Sequence, residues 1–221
     1  MKKTIAIIGA GPGLGLSLAK KFGSNDFNVA LVSRNENTLI PMVEELTALN
    51  INSKYYVADV RDLEKLDSIM EEIEKEFGQI DVVEFSPYAG PQEFRHVLTM
   101  EIEDVKDQYE TQVLPAVKLV QKVLPSMRKN KSGAILFNTG ISALYPISGL
   151  GNTGIACSGL RNYAQNLHNL LKEEGIYVGL QAISALIKKG TEADPDLIAE
   201  SWYELYSKQD KFEKVFPELK I

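Results

Sequence analysis

Short runs of almost continuous apolar residues alternate along the chain with longer segments whose apolar positions recur every three or four residues. Residues 4–9 (TIAIIG) read as a buried strand and 14–22 as a helix. Residues 28–33 (NVALVS) and 36–49 repeat that pair, and a short strand follows at 54–57. In 63–77 the residues Leu63, Leu66, Ile69, Met70, Ile73 and Phe77 share one helical face. A fourth strand is predicted at 81–85, one long helix at 102–127, a fifth strand at 134–138 and another long helix at 152–173. A sixth strand at 176–183 and a helix at 195–207 complete the pattern.

Strict strand–helix alternation with connections of this length predicts a doubly wound α/β fold, a parallel sheet with helices on both faces. The strands carry too few polar residues for a sheet with one wet face. No linker, repeat or low-complexity stretch interrupts 1–221, so one domain is expected. In such a sheet ligands bind beyond the carboxyl ends of the strands, where the strand order reverses.

Composition narrows the function. Twenty-four Lys and Arg against thirty Asp and Glu give a net charge of -6, which argues against a nucleic-acid partner. One cysteine, Cys157, excludes an internal disulfide and a multi-thiolate metal site, and two histidines exclude a histidine-rich one. A reducing, cytoplasmic setting is the simplest expectation. Lys2 and Lys3 precede an apolar stretch, but glycines and Pro12 break it, so neither a leader nor a membrane span is expected.

The break has its own chemistry. Gly9-Ala10-Gly11-Pro12-Gly13-Leu14-Gly15 joins the first strand directly to the first helix. Glycines permit a tight turn and close backbone approach, and the helix N-terminus presents amides to an anion such as a pyrophosphate. At the end of the second strand stands Ser33-Arg34-Asn35. An acid there would hold a ribose 2′-hydroxyl; Arg34 instead offers a fork to a 2′-phosphate, which favours NADP over NAD. Asp59-Val60 after the third strand is placed to meet an adenine edge, or Asp59 caps the next helix.

These residues resemble the short-chain dehydrogenase/reductase superfamily. The resemblance spans essentially the whole chain: Gly9-x-x-x-Gly13-x-Gly15, Ala58-Asp59-Val60, Gly78-x-Ile80-Asp81-Val82, Val123-Leu124-Pro125-Ser126-Met127, Gly133-Ala134-Ile135 and Gly175-Ile176-x-Val178. It implies a seven-stranded parallel sheet and a nicotinamide cofactor held by Gly9, Gly13, Leu14, Gly15, Ser33, Arg34, Asp59, Val60 and Ser86. It also implies a homodimer or homotetramer built on the helices at 102–127 and 152–173.

The resemblance further implies a catalytic Asn, Ser, Tyr and Lys. Counting from the flanking motifs places those four positions on Gln112, Gly140, Thr153 and Cys157. Strand four ends in Phe85-Ser86-Pro87-Tyr88-Ala89-Gly90 instead of the family's Asn-Asn-Ala-Gly, and the Pro-Gly usual after strand six is absent from Ala182-Ile183-Ser184-Ala185. In the family the Tyr donates a proton to a carbonyl while its carbon receives hydride, and the Lys⁺ lowers the phenol pKa. A Thr hydroxyl is too weak an acid for that task, and a neutral thiol supplies no positive charge. Ser142 and Tyr145 are the substitutes the sequence offers, with Tyr88, Asn138 and Thr139 also at the carboxyl ends. Trp202, Tyr203 and Tyr206 are expected to pack, His96 to be exposed, and the segment after strand six is too short for a two-helix lid.

Two functional readings stay open at this point. One is an NADP(H)-dependent oxidoreductase without the usual catalytic residues. The other is a non-catalytic NADP(H)-binding sensor, regulator or partner-binding protein on the same fold.

Overall fold

The computed structural model describes residues 2–88 and 90–219. Ala89, part of the altered end of strand four, lies outside the described residues. Seven parallel strands form one sheet in the order β3-β2-β1-β4-β5-β6-β7. The strands are β1 (Lys3–Ile8), β2 (Phe27–Ser33), β3 (Ser53–Val57), β4 (Val82–Phe85), β5 (Gly133–Gly140), β6 (Ile176–Ile183) and β7 (Glu213–Phe216). The order reverses between β1 and β4, which pair with Ile5 opposite Val82 and Ile8 opposite Phe85. That switch point opens the crevice in which such sheets bind ligands.

Two apolar layers cover the sheet. On one face α1 (Leu14–Gly23), α2 (Glu36–Ala48) and α7 (Pro195–Lys208) bury Leu18, Phe22, Leu39, Met42, Ile198 and Trp202 against Ile5, Ile7, Val82 and Leu136. On the other, α3 (Leu63–Phe77), α5 (Leu114–Asn130) and α6 (Gly151–Leu171) bury Leu66, Ile69, Leu119, Val123 and Leu160 against Ile8, Val83, Phe85 and Phe137. Successive strand residues thus feed opposite layers, as period-two geometry requires. Trp202 is fully buried, and Tyr203 and Tyr206 pack edge-on and tilted against Phe22 with centroids at 5.3 and 5.4 Å.

Three predicted features are corrected. The long helix at 102–127 is two helices, α4 (Ile102–Gln112) and α5, broken at Val113. Pro115 in the first turn of α5 explains the break, because proline lacks an N–H and crowds the preceding turn. Asp59 does not cap α3. Asp62 does, accepting from the Lys65 N–H at 2.9 Å, while Asp59 accepts from the Arg61 N–H at 3.0 Å. The helical pattern at 152–173 stops at Leu171, and a single 3-10 turn, Lys172–Glu174, finishes it before Gly175 at φ 77°. β7 has no counterpart in the hydrophobic pattern, since its four half-buried residues make a short edge strand. Among the described residues no helix is long and apolar enough to cross a membrane.

Candidate functional site

The turn after β1 is built by steric necessity. Gly9 has φ +92°, and a Cβ there would lie 2.6 Å from the Pro87 backbone at the end of β4. A Cβ on Gly15 would lie 2.8 Å from Ala10 Cα, so that glycine lets α1 approach the turn. Gly11 and Gly13 face open space instead. Gly13 is the N-cap of α1, no side chain caps that end, and the first turn holds no acid. The Leu16 N–H donates to the Gly11 carbonyl at 2.9 Å, which leaves the amides of Gly13, Leu14 and Gly15 at the helix end, where the dipole favours negative charge. The turn is therefore packed on one side and bare on the other, as a backbone cradle for a phosphate must be.

Beside it a cleft of about 60 Å³ is lined by Gly9, Ser33, Arg34, Ala58, Asp59, Val60, Arg61, Pro87, Tyr88 and Thr111. The structure thus brings Gly9, Ser33, Arg34, Asp59 and Val60 to one place. Gly13, Leu14 and Gly15 adjoin it on the turn rather than lining it. Asn35, next to Arg34, is committed to the N-cap of α2 through the Asn37 N–H at 3.0 Å. Arg61 and Thr111 are lining residues that motif reading missed; the Arg61 Nε donates to Thr111 Oγ1 at 3.1 Å. Arg61 follows the Asp59-Val60 signal directly, and that adjacency could have revealed it. Ser86 belongs to the cleft only through its backbone neighbours, because its hydroxyl is paired with Glu84 Oε2 at 3.0 Å.

Gln112, Gly140, Thr153 and Cys157 also come together, on α4, the end of β5 and α6. Thr153 Oγ1 donates to Gln108 Oε1 at 3.0 Å, and Gln112 Nε2 donates to the same oxygen. Cys157 Sγ donates to Gln112 Oε1 at 3.1 Å. Burial pushes the Cys157 thiol up from its ordinary value, against a weaker pull from the Gly140 backbone and the nearby Ser142 hydroxyl. Gln108, one helical turn before Gln112, was not read from the sequence. Its only signal there was an amide spaced to share a face with another.

The remaining predicted groups divide. The hydroxyl oxygens of Ser142 and Thr139 are buried without a hydrogen-bond partner, and Ser142 Oγ is 3.5 Å from where a Cβ on Gly140 would stand. Tyr145 and Tyr88 are largely exposed, and Tyr88 meets the Phe94 ring edge-on at 6.2 Å. Asn138 turns inward, accepting from Trp202 Nε1 at 2.9 Å and donating to Glu84, so it is not available to a ligand. His96 is exposed, as expected. The segment between β6 and α7 carries no helix, and Asp194 closes it by accepting from the Asp196 N–H at 2.9 Å. Among the described residues no cluster of His, Cys, Asp and Glu could hold a metal ion.

A family model described as short chain dehydrogenase matches residues 3–191. The chain is 24% identical over 201 residues to 3-oxoacyl-(acyl-carrier-protein) reductase of Staphylococcus aureus, covering 90% of this chain and 81% of that one. A short-chain dehydrogenase structure from Rhodopseudomonas palustris superposes with a TM-score of 0.87 at 23% identity, covering 98% of this chain and 99% of that one. A metagenomic short-chain oxidoreductase solved in complex with NADP gives 0.86 at 20% identity, covering 99% and 98%. Likeness at these identities fixes the fold and leaves the chemistry to the site itself.

Proposed function

The chain belongs to the short-chain dehydrogenase family, and from that premise we propose that it binds NADP(H) at the glycine turn and does not deliver protons by the family's Tyr–Lys route. Gly11, Gly13 and the bare N-terminus of α1 would hold the pyrophosphate. Arg34 and Ser33 would hold the 2′-phosphate, and Asp59 and Val60 the adenine. The fit is supported by the open space at Gly11 and Gly13, by the absence of an acid in the first turn of α1, and by Arg34 on the cleft wall. Bound there, the dinucleotide would supply a hydride donor or acceptor.

The second half is carried by the neutral hydrogen-bonded chain Thr153–Gln108–Gln112–Cys157. Each polar hydrogen of Thr153 and Cys157 is already spent inside the protein. None of the four groups is an acid near neutral pH, and none carries a positive charge. General acid catalysis contributes about 10²–10⁴ in rate, and these residues do not provide it. Cofactor binding is therefore the main function we assign, with carbonyl reduction in its usual form absent.

Calorimetry with NADPH and NADH tests the reading. NADPH should bind about tenfold or more tightly than NADH, and Arg34→Ala should remove that preference, since a charge-assisted phosphate contact is worth roughly 1.5–3 kcal/mol. No NADPH binding refutes the cofactor assignment. Rapid NADPH oxidation with a simple carbonyl panel refutes the assignment of a non-catalytic site.

Self-association belongs to the same proposal. Ile102 and Leu114 on α4 and α5, with Ile155 and Leu170 on α6, stand exposed, Ile102 and Leu170 each by 71%. Sedimentation as a strict monomer refutes a dimer or tetramer built on these helices.

A further inference from the structure

Glu84 lies at the middle of the central strand, fully buried on the face covered by α1 and α7. Both carboxyl oxygens are engaged. Oε2 meets Ser86 Oγ at 3.0 Å, and Oε1 accepts from Asn138 Nδ2. The Asn138 amide cannot be reversed, because its oxygen accepts from Trp202 Nε1 at 2.9 Å. This chain of groups is separate from the Thr153–Cys157 cluster. It runs instead to the glycine turn. The Ser86 N–H donates to the Ile8 carbonyl at 2.9 Å, and a Cβ on Gly9 would lie 2.8 Å from the Ser86 carbonyl carbon. Gly9 and Pro87, its packed partner and its chain neighbour, both line the cleft.

The donor count of this cluster depends on one proton. The Asn138 N–H occupies Oε1, so a neutral Glu84 carries its proton on Oε2 and donates it to Ser86 Oγ. The Ser86 O–H is then released from the carboxyl, on a half-buried residue whose chain neighbour Pro87 lines the cleft. An ionised Glu84 has no proton to give and takes the Ser86 O–H for itself, while setting a negative charge behind the phosphate cradle.

We propose that Glu84 is a proton-linked positioning residue for the dinucleotide, acting through Ser86: the neutral acid presents the Ser86 hydroxyl to the anionic ligand, and the carboxylate withdraws it. The proposal rests on the reading that this cleft takes NADP(H). Burial pushes the Glu84 carboxyl up to about 8, opposed by the Ser86 and Asn138 hydrogen bonds, with no charged neighbour contributing. The strands on either side place Ile7 and Leu136 opposite it. On the covering helices the ionisable groups are tied elsewhere: Lys20 to Glu45, Lys21 to Glu200, Asp196 to Ser17, and Lys208 to Glu204. Tyr203 packs edge-on and Tyr206 tilted against Phe22.

NADPH titrations of the full-length protein at pH 7 and pH 9, in two buffers of different ionisation enthalpy, test this with wild type, Glu84→Gln and Ser86→Ala. Glutamine keeps the shape and donates to Ser86 at every pH. Wild-type affinity should fall about fivefold or more between the two pH values, the lower end of ordinary site–site coupling, with proton uptake on binding near pH 8. Glu84→Gln should bind tightly at both pH values with that uptake gone. Ser86→Ala should bind more weakly at pH 7 and lose most of the pH dependence. Circular dichroism confirms that each variant is folded, and Ser86→Ala decides the matter if Glu84→Gln is not. Binding by all three with the same pH profile overturns the role of Glu84 alone. No NADPH binding by any of them overturns the cofactor assignment, and this proposal with it.

Discussion

Replacing Glu84 by glutamine should stabilise the fold at alkaline pH and leave it nearly unchanged at acid pH. In the unfolded chain the carboxyl ionises near its ordinary value of 4.5, whereas burial raises it to about 8 in the fold. A group that binds its proton more tightly when folded contributes fully below the lower value. Its contribution falls as pH rises toward the upper one, because the unfolded chain is then the better place for the charge. The interval spans about 3.5 pH units, at about 1.4 kcal/mol each. The ceiling on the loss is therefore about 5 kcal/mol, and several kcal/mol is the working figure. Glutamine cannot ionise, accepts from Asn138 as the acid does and donates to Ser86 Oγ, so no buried partner is left unsatisfied. Urea unfolding of both proteins at half-unit steps from pH 5 to pH 8.5 measures the effect. Their difference cancels the other titrating groups. Glu84→Gln should match wild type to within about 1 kcal/mol at pH 5 and exceed it progressively to pH 8. Curves that stay parallel across the range would show that Glu84 is ionised inside the sheet, and would refute the reasoning.

Gly15→Ala puts a methyl group 2.8 Å from Ala10 Cα, and backbone cannot step aside as a side chain can. Thermal unfolding should show a loss of about 1–3 kcal/mol, with NADPH binding weakened more than stability. Cys157 is 1% exposed, and its thiol is held above the usual range by burial. A chromogenic disulfide reagent should therefore label it only at the rate of global or local opening, and rapid stoichiometric labelling of the folded protein at pH 7 would contradict the structure. Gln108→Ala leaves Thr153 Oγ1 and Gln112 Nε2 without their shared acceptor. Urea unfolding should record a loss of about 1–3 kcal/mol with NADPH affinity unchanged; the opposite pattern, intact stability and lost binding, would place Gln108 in the ligand site.

The fold was legible because its strands are buried on both faces and its helices on one. Those two patterns differ in period, so Ile5–Ile8 and Leu63–Phe77 announce themselves without reference to anything distant. The glycine turn was legible for a related reason. Gly9 at φ +92° and Gly15 against Ala10 answer purely local steric demands. Long-range polar pairing left no such trace. Glu84 interrupts an apolar strand, a visible oddity, but its partner Asn138 is 54 residues away, and Asn138 in turn meets Trp202 another 64 residues on. Gln108 pairs with Thr153 across 45 residues. The break at Val113 was a different failure: Pro115 marked it locally, and the strong apolar period on both sides outweighed the mark.

The two polar clusters separate what the fold demands from what chemistry demands. A buried polar group is tolerated only when it finds partners. The residues now at 153 and 157 meet that condition by bonding to Gln108 and Gln112 on α4, so together they act as a hydrogen-bonded seam between α4 and α6. In that seam the Thr153 and Cys157 hydrogens are already committed to the two glutamines, and neither residue has a second one to give a substrate oxygen. The glycine turn is in the opposite state, closely packed at Gly9 and Gly15 and open at Gly11 and Gly13. Openness there gives the fold nothing, since the bare amides of α1 would gain from an acidic cap that the sequence does not supply. Structural demand alone therefore explains the seam but not the turn. The amides of Gly13, Leu14 and Gly15, beside Arg34 on the cleft wall, are what the proposed anionic ligand would require.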